Sequence, residues 1–314
     1  MNFPFDILPS SDFDVVGFGT NAVDYLIRVP EFPSFNTKIE LTDYSVAAGG
    51  EVASSMVGLS RLGLRTSYAG RFGSDQAGMI GLDSLAAEGV DTTYAEVVEG
   101  ALTQVAFILV DELSGERTVI WQRDQKLSYS AAEAPVEAAT RGRVLHLTPH
   151  DAQACVNMAA AAKSRGVIVS ADIDNIFDGI EELLSLVDIC LVSATFPEKM
   201  FGIPDKNRAL GKLANAYGCS VAGLTLGEDG SLIFCNGQFI ETPALKVPGG
   251  CVDTTGAGDA FRTGFIYGML TGCDVEQTAE IANAVASLKC RGLGARSALP
   301  FKHELNLSLS RKAL

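Results

Sequence analysis

From about residue 143 onward, the chain alternates regularly between short apolar runs rich in β-branched residues and longer helix-like segments. The predicted strands are residues 144–147, 167–170, 189–192 and 220–226, and the predicted helices between them are residues 152–165, 179–186 and 205–217. Strands that alternate with helices build a parallel sheet covered on both faces, because each crossover connection carries a helix. The pattern therefore predicts an α/β fold, whose ligands bind at the carboxyl ends of the strands.

Composition argues against several classes of partner. The 314 residues carry a net charge of −14, so no basic face is available to displace the counterions of a nucleic acid or to bind an anionic membrane. The chain lacks the run of about 18 apolar residues that a membrane span needs, and its N-terminus lacks the pattern of a signal peptide. The seven cysteines are odd in number and form no C-x-x-C pair, which predicts reduced thiols in a cytoplasmic protein.

A glycine pattern near the N-terminus resembles a dinucleotide-binding fingerprint. Gly17, Gly19 and Ala22 fit the spacing G-x-G-x-x-A after an apolar run. That fingerprint requires a helix after the turn, but residues 25–29 are β-like and are followed by Pro30. We therefore reject a dehydrogenase function.

Two segments predict a second, smaller layer of β-structure. Residues 37–46 alternate in polarity and predict a strand, and residues 104–111 and 117–121 are apolar, β-branched runs on either side of a turn. Together with residues 25–36, these runs can form a sheet separate from the main one. The alternative is that they add an edge hairpin to the main sheet.

The densest chemical motif of the chain is DTTGAGDAF, residues 253–261, which precedes an apolar, helix-like segment. Glycines that open a helix let backbone N–H groups and the positive end of the helix dipole meet an anion. Asp259 lies in the first helical turn, next to that position. A carboxylate beside an anion hole suggests a base that deprotonates an alcohol while the hole holds a phosphoryl group. The alternative, a common capping aspartate, does not explain the clustered glycines or Asp253.

This motif resembles the signature of the ribokinase-like (PfkB) family of sugar and nucleoside kinases. The resemblance covers residues 14–300 and implies one ribokinase-like domain over residues 1–314, with a central, mostly parallel sheet, helices on both faces and a small β-sheet lid at about residues 25–46 and 100–122. It implies ATP-dependent phosphorylation of a primary hydroxyl of a sugar or sugar derivative, with Mg²⁺. Asp259 would be the catalytic base, and Gly256, Ala257 and Gly258 would form the anion hole.

The resemblance also implies residues that hold the acceptor. Asp24 would bind sugar hydroxyls, and the backbone of Gly49 and Gly50 would lie against the sugar. Ser54 stands where the family usually has an asparagine that contacts the sugar. Thr148 aligns with a substrate-contacting position of a different residue type. These departures leave the identity of the substrate open.

The nucleotide side is implied by a second glycine-containing stretch. Thr225, Gly227 and Gly230 would contact the phosphates and ribose, and Asn283 would lie near the adenine, although a surface amide is an equal alternative without the family. The Asn-x-x-Glu motif that the family links to metal and phosphate is not matched in register, and Glu198 is a candidate substitute. Asp253 and Thr255, together with the loop at residues 292–295, would hold a monovalent cation such as K⁺.

Two other classes of function remain open at this point. One is a nucleoside or vitamin kinase on the same fold, and the other is a non-catalytic binder of sugar or nucleotide that acts in regulation. The intact GAGD motif argues against a binder, which has no need of the base. The lid of the family is often a dimer surface, so a homodimer through the lid is expected as well.

Overall fold

The computed structural model describes residues 1–247 and 249–312; the expected end of the domain at residue 314 lies outside this part of the chain. The strands are β1 Val15–Phe18, β2 Ala22–Val29, β3 Asp43–Gly49, β4 Thr66–Gly73, β5 Ala95–Val98, β6 Val105–Asp111, β7 Arg117–Gln122, β8 Val144–Leu147, β9 Ile168–Ile173, β10 Ile189–Ser193, β11 Val221–Thr225, β12 Ser231–Cys235 and β13 Gln238–Thr242. The helices are α1 Glu51–Arg61, α2 Gln76–Ala87, α3 Val136–Ala139, α4 Ala152–Lys163, α5 Ile180–Leu184, α6 Phe196–Phe201, α7 Lys206–Tyr217, α8 Ala257–Leu270, α9 Val275–Lys289 and α10 Lys302–Lys312.

Nine of the strands form the main sheet, in the order β13-β12-β11-β10-β9-β8-β1-β4-β5. The pairs from β11 to β5 are parallel, and β12 and β13 add an antiparallel edge. The central strands are buried along their whole length, as expected for parallel strands with helices on both sides. The prediction of a mostly parallel α/β sheet is confirmed.

The helices divide the hydrophobic core between the two faces of the sheet. Successive residues of a strand point to opposite faces, so Val15 packs into the core beneath α1, α8 and α9, whereas Val16 packs into the core beneath α4, α5 and α7. Gly264 of α8 allows the close approach of α9, since a Cβ at this position would lie 2.6 Å from the Cα of Ala282. This packing fixes the position of α8, which carries the predicted catalytic motif.

The second sheet has four strands in the order β3-β2-β6-β7 and is separate from the main sheet. We call it the lid. The alternative of an edge hairpin on the main sheet is wrong. The predicted strand at residues 37–46 is displaced: β3 begins at Asp43, which pairs with Arg28, because β2 ends before Pro30 and offers no partner to earlier residues. Both predicted lid segments otherwise lie in this sheet.

Two further predictions can be compared with the structure. Ala22 opens strand β2, not a helix, which agrees with the rejection of the dinucleotide fingerprint. Among the described residues, no helix has both the length and the apolar character needed to cross a bilayer.

Candidate active site

The predicted catalytic motif lies near the amino-terminal end of α1. The Ser55 hydroxyl of α1 donates a 3.4 Å hydrogen bond to the backbone carbonyl of Asp259 in α8. The two helices therefore start close together, one after the pair Gly49–Gly50 and the other after Gly256. Sequence positions some 200 residues apart thus meet at one place, next to the lid.

The loop before α8 is held by the buried carboxylate of Asp253. Its Oδ1 accepts hydrogen bonds from the backbone N–H of Thr255 at 2.8 Å and from the hydroxyl of Thr255 at 2.7 Å, and its Oδ2 accepts from the N–H of Gly294 at 2.6 Å. This carboxylate therefore links the predicted catalytic loop, residues 253–256, to the loop at residues 292–295. The structure brings Asp253, Thr255 and that loop together, as expected.

Gly256 occupies a backbone conformation that favours glycine. Its φ is +75°, and a Cβ would lie 2.9 Å from the Cα of Ala295, so both the left-handed conformation and the space require glycine here. The first N–H groups of α8 point out of the helix end. The N–H of Ala257, a predicted member of the anion hole, already donates to the Thr254 carbonyl at 3.1 Å and does not point to an open position. Gly256 and Gly258 remain the candidates for that role.

Asp259 is a half-buried carboxylate in the first turn of α8. Burial and the nearby carboxylate of Glu51 raise the pKa of Asp259 to about 7, against the opposing effect of Arg262 and Arg117. A pKa near neutrality suits a group that accepts a proton from an alcohol.

Arg262 lies on the protein side of the same helix end, and it was not predicted from the sequence. Its guanidinium is buried, forms a 2.6 Å ion pair with Asp172 at the end of β9, and donates to the Leu191 carbonyl at 3.1 Å. A Cβ on Gly258 would lie 2.5 Å from Nη1 of Arg262, so this glycine leaves room for the guanidinium. A positive charge thus lies directly behind the predicted anion hole.

Several carboxylates face this positive charge. Burial, Asp172 and Asp174 raise the pKa of Glu51 to about 8, and burial raises the pKa of Asp172 to about 7, where Asp259 and Asp174 add to the effect of burial. Burial is the main cause of the raised pKa values of Glu51 and Asp172, and repulsion by neighbouring carboxylates adds to it. The chemistry of these oxygen donors fits a hydrated divalent cation, although no cluster of three or more acidic, histidine or cysteine side chains in the described chain is arranged to hold a metal directly.

Asp24, the predicted sugar-binding carboxylate, is buried on β2 at the inner face of the lid. Burial raises its pKa to about 6, and Arg296 opposes that shift. A Cβ on Gly49 would overlap the Asp24 carboxylate, and a Cβ on Gly50 would overlap the backbone of Asn21. The structure therefore brings Asp24 and the glycine pair together.

Ser54 is buried, and among the described residues the one hydrogen bond of its hydroxyl oxygen comes from an arginine. Its Oγ accepts a 3.1 Å hydrogen bond from Nε of Arg296, whose guanidinium also donates to the Gly49 carbonyl and, at 3.1 Å, to the Ser84 hydroxyl. Arg296 is buried and was missed by sequence reasoning. Ser54 thus holds an arginine, and the prediction that it contacts the sugar stays a prediction.

Thr148 lies at the end of β8, next to Gly19 of the neighbouring β1 end, where a Cβ would overlap its hydroxyl. Its buried Oγ1 has no hydrogen-bond partner in the part of the chain that the structure describes, and the same holds for Oδ1 of Asn21. Asn21 is oriented by a 2.9 Å hydrogen bond from its Nδ2 to the Tyr68 hydroxyl. Two unpaired buried oxygens at this edge of the sheet fit a polar ligand.

Aromatic side chains border the same cleft. The ring of Trp121, on lid strand β7, meets His150 edge-on at a centroid distance of 6.2 Å, and His150 lies 5.2 Å from Phe177. The nearby Arg123 is paired with Asp151 at 2.7 Å, so it is committed to the protein and not to an anionic sugar. The aromatic groups were not predicted from the sequence.

The predicted nucleotide residues lie at the other end of the sheet. Thr225 ends β11, and Gly227 and Gly230 in the following turn have φ values of +62° and +98°. Asn283 is buried, not on the surface: its Nδ2 donates to Ser231 Oγ at 2.8 Å and to the Ala279 carbonyl at 2.9 Å. The surface alternative for this amide is therefore wrong.

Glu198, the candidate substitute for the unmatched metal-linked motif, is exposed on α6. It lies outside the carboxylate group around Arg262, which comes instead from α1, α8 and the end of β9. The substitution by Glu198 stays a prediction, and the carboxylates at α1 and β9 are the better placed group.

Comparisons with known proteins show which family and fold the chain shares. The family described as pfkB family carbohydrate kinase matches residues 13–302. A nucleoside kinase of Methanothermobacter thermautotrophicus is 28% identical over 305 residues, covering 93% of this chain and 94% of the relative.

Two solved structures share the fold. Arabidopsis thaliana ribokinase, in complex with ribose and ATP, superimposes with a TM-score of 0.81 at 24% identity, covering 95% of this chain and 98% of the other. An Escherichia coli protein in complex with ATP and Mg²⁺ also gives a TM-score of 0.81, at 22% identity, and covers 95% and 99% of the two chains.

Proposed function

The chain belongs to the pfkB family of carbohydrate kinases, and we propose that it transfers the terminal phosphoryl group of ATP to a primary hydroxyl bound between the lid and the amino-terminal end of α8. The observation that carries this proposal is the half-buried Asp259, with a pKa raised to about 7, in the first turn of a helix capped by Gly256. The whole chain would act as one kinase domain with the lid as its cover.

In this proposal, Asp259 accepts the proton of the acceptor alcohol as the new O–P bond forms. The N–H groups at Gly256 and Gly258 stabilise the negative charge on the transferred group, and Arg262 adds a positive charge behind them. Little covalent chemistry is required of the protein, because phosphoryl transfer depends mainly on positioning and charge stabilisation.

Mg²⁺ would enter with ATP and neutralise charge on its phosphates. Glu51, Asp172 and Asp174 are the residues that would attract the hydrated ion, whose charge would relieve the repulsion among them. The nucleotide itself would lie along Thr225, Gly227 and Gly230, where the positive φ values bring backbone close to a ligand. Asn283 would hold the segment after Gly230 in place through its hydrogen bond to Ser231.

Asp24 and the backbone of Gly49 and Gly50 would hold the sugar hydroxyls, with the unpaired oxygens of Thr148 and Asn21 as further partners. A carboxylate accepts hydrogen bonds from two vicinal hydroxyls, which suits a ribose or a similar polyol. An ADP-release assay over free sugars, sugar acids, sugar phosphates and nucleosides tests the proposal. Stimulation of ADP release by none of these alcohols would contradict it and favour a regulatory binder.

A nucleoside acceptor is the second candidate, and the aromatic group of Trp121, His150 and Phe177 favours it. Trp121 shares the inner face of the lid with Asp24, because both residues align with Ala106 across the strands. A base attached to the bound ribose would have an aromatic surface to stack against. Trp121→Ala should raise KM for nucleosides much more than KM for free ribose; equal effects would exclude this role.

The resemblance also implies K⁺ at Asp253, Thr255 and the loop at residues 292–295. The oxygen atoms that would coordinate the cation are already used in protein hydrogen bonds. The Asp253 carboxylate accepts three, and the Asp253 backbone carbonyl accepts one from a buried lysine. We therefore assign K⁺ no role in this chain.

We also propose a homodimer through the lid in the cytoplasm. The outer face of the lid exposes Val46, Phe107 and Ile120 by 42%, 44% and 59%, an apolar surface that a second copy would cover. All seven cysteines are free thiols, which supports a reducing compartment. Sedimentation of wild-type protein and Ile120→Glu tests the dimer; a wild-type monomer at micromolar concentration would contradict it.

A further inference from the structure

A lysine is completely buried behind the catalytic loop. Lys289 is the last residue of α9, its exposed fraction is 0%, and its Nζ donates a 2.8 Å hydrogen bond to the backbone carbonyl of Asp253. A lysine is almost never fully buried unless it is paired, because removal of an ammonium group from water is costly. The burial of this charge therefore calls for a role at the place where it lies.

Burial lowers the pKa of Lys289, and the nearby Asp253 carboxylate opposes that shift. The carboxyl end of α9 presents the negative end of a helix dipole. The segment that leads into the catalytic motif is tied to this end, because the N–H of Val252 donates to the Cys290 carbonyl at 2.8 Å. Carbonyl oxygens at a helix end, beside the buried carboxylate of Asp253, attract a positive charge.

We infer that the ammonium group of Lys289 takes the place of the monovalent cation at this loop, so that the enzyme needs no K⁺. The charge would fix the Asp253 carbonyl, and the Asp253 carboxylate then fixes Thr255 and Gly294 through its three hydrogen bonds. Lys289 is thus a positioning residue: it contacts no reacting atom and acts through the loop that opens α8.

This inference rests on the proposed role of the loop as an anion hole, but its main test needs no substrate. Melting temperatures of the wild type, Lys289→Ala and Lys289→Met are compared in KCl and in tetramethylammonium chloride of equal concentration. Lys302→Met, which removes an exposed lysine at the start of α10, is the matched control.

The wild type and the control should melt within about 1 °C in the two salts. Lys289→Ala should melt lower than the wild type and should regain roughly 2–5 °C in KCl, because the deleted side chain leaves space for a cation that binds the folded state. Lys289→Met should also melt lower but should not respond to K⁺, since its side chain fills that space without a charge.

A second readout is catalytic. With the acceptor identified by the ADP-release assay, wild-type kcat should change less than about twofold between the two salts, and kcat of Lys289→Ala should rise in KCl. Stabilisation of the wild type by K⁺, or a folded Lys289→Ala that does not respond to K⁺, would overturn the inference. If Lys289→Ala does not fold, stabilisation of the wild type by K⁺ would still overturn the inference. Absence of kinase activity with any alcohol would count against the proposed function and would leave the thermal comparison valid.

Discussion

The guanidinium Nη1 of Arg117, on lid strand β7, donates a 2.9 Å hydrogen bond to the hydroxyl of Thr254 in the predicted catalytic loop. The turn before that strand also contacts Thr254. The N–H and the hydroxyl of Thr254 both donate to the Gly115 carbonyl, at 3.3 and 3.2 Å. The lid therefore contacts the loop that precedes α8 directly. Thr254 accepts one of these three hydrogen bonds and donates the other two.

We predict that Arg117→Ala lowers kcat/KM about threefold to thirtyfold. A hydrogen bond from a charged donor stabilises the closed lid, but the arginine is exposed and water weakens the effect. Steady-state kinetics with the identified acceptor measure the change. Thr118→Ala, the next residue on the opposite face of the same strand, is the control and should retain wild-type kinetics. Equal loss in both variants would mean that the lid strand, not the contact to Thr254, is responsible.

We predict that Asp259→Asn loses on the order of 10²–10⁴ in kcat, because an amide cannot accept the proton of the alcohol. Its fold should be unchanged, as judged by circular dichroism, since the side chain is at the mouth of a helix and not in the core. In the wild type, kcat/KM should fall as the pH drops below about 7, where the carboxylate becomes protonated. Asp83→Asn, an exposed position of α2, is the control. Near-normal turnover of Asp259→Asn would exclude the assignment as base.

The carboxylates near Arg262 predict how stability depends on pH. In the folded protein, the pKa values of Asp172, Asp259 and Glu51 are about 7, 7 and 8, above their ordinary values of 3.8, 3.8 and 4.5. Between those limits the folded state binds more protons than the unfolded chain, so the free energy of unfolding decreases as the pH rises. The melting temperature without Mg²⁺ should therefore fall from pH 5 to pH 8.

Glu51→Gln should make that fall in melting temperature less steep, because one of the repelling carboxylates is removed. Differential scanning calorimetry over the same pH range measures it. Glu99→Gln, which removes an exposed carboxylate, should keep the wild-type slope. A melting temperature that rises steadily from pH 5 to pH 8 in the wild type would contradict the raised pKa values.

Local sequence patterns predict the parts of the site that depend on neighbouring residues. The alternation of strands and helices predicted the parallel sheet, and the glycines of residues 253–261 predicted the start of α8, because backbone conformation and periodicity are properties of short segments. The predicted strand at residues 37–46 was displaced since its bounds depend on the length of its partner, β2, which ends at Val29.

Long-range contacts were not predictable in the same way. Arg296 and Ser54, which share a hydrogen bond, are 242 residues apart, and a single arginine in a loop carries no local signal for such a contact. The same is true of Lys289: a lysine at the end of a helix normally faces water, and only the packing of residues 252–254 on that end buries it. Buried charged residues that position a site without lining it can thus be identified only from the tertiary structure.

The contact between Gly49 and Asp24 gives the last prediction. A methyl group on Gly49 would occupy the space of the Asp24 carboxylate, so Gly49→Ala must displace the group that we propose binds the acceptor hydroxyls. We expect KM for the acceptor to rise about 5- to 100-fold, with a smaller change in KM for ATP, whose proposed residues lie at the other end of the sheet. Gly211→Ala, in the middle of α7, is the matched control: its Cβ would make an ordinary 3.5 Å contact with Cζ of Phe239, and alanine favours a helix. If Gly49→Ala raised both KM values equally, the glycine would matter for the fold of the cleft and not for the position of Asp24.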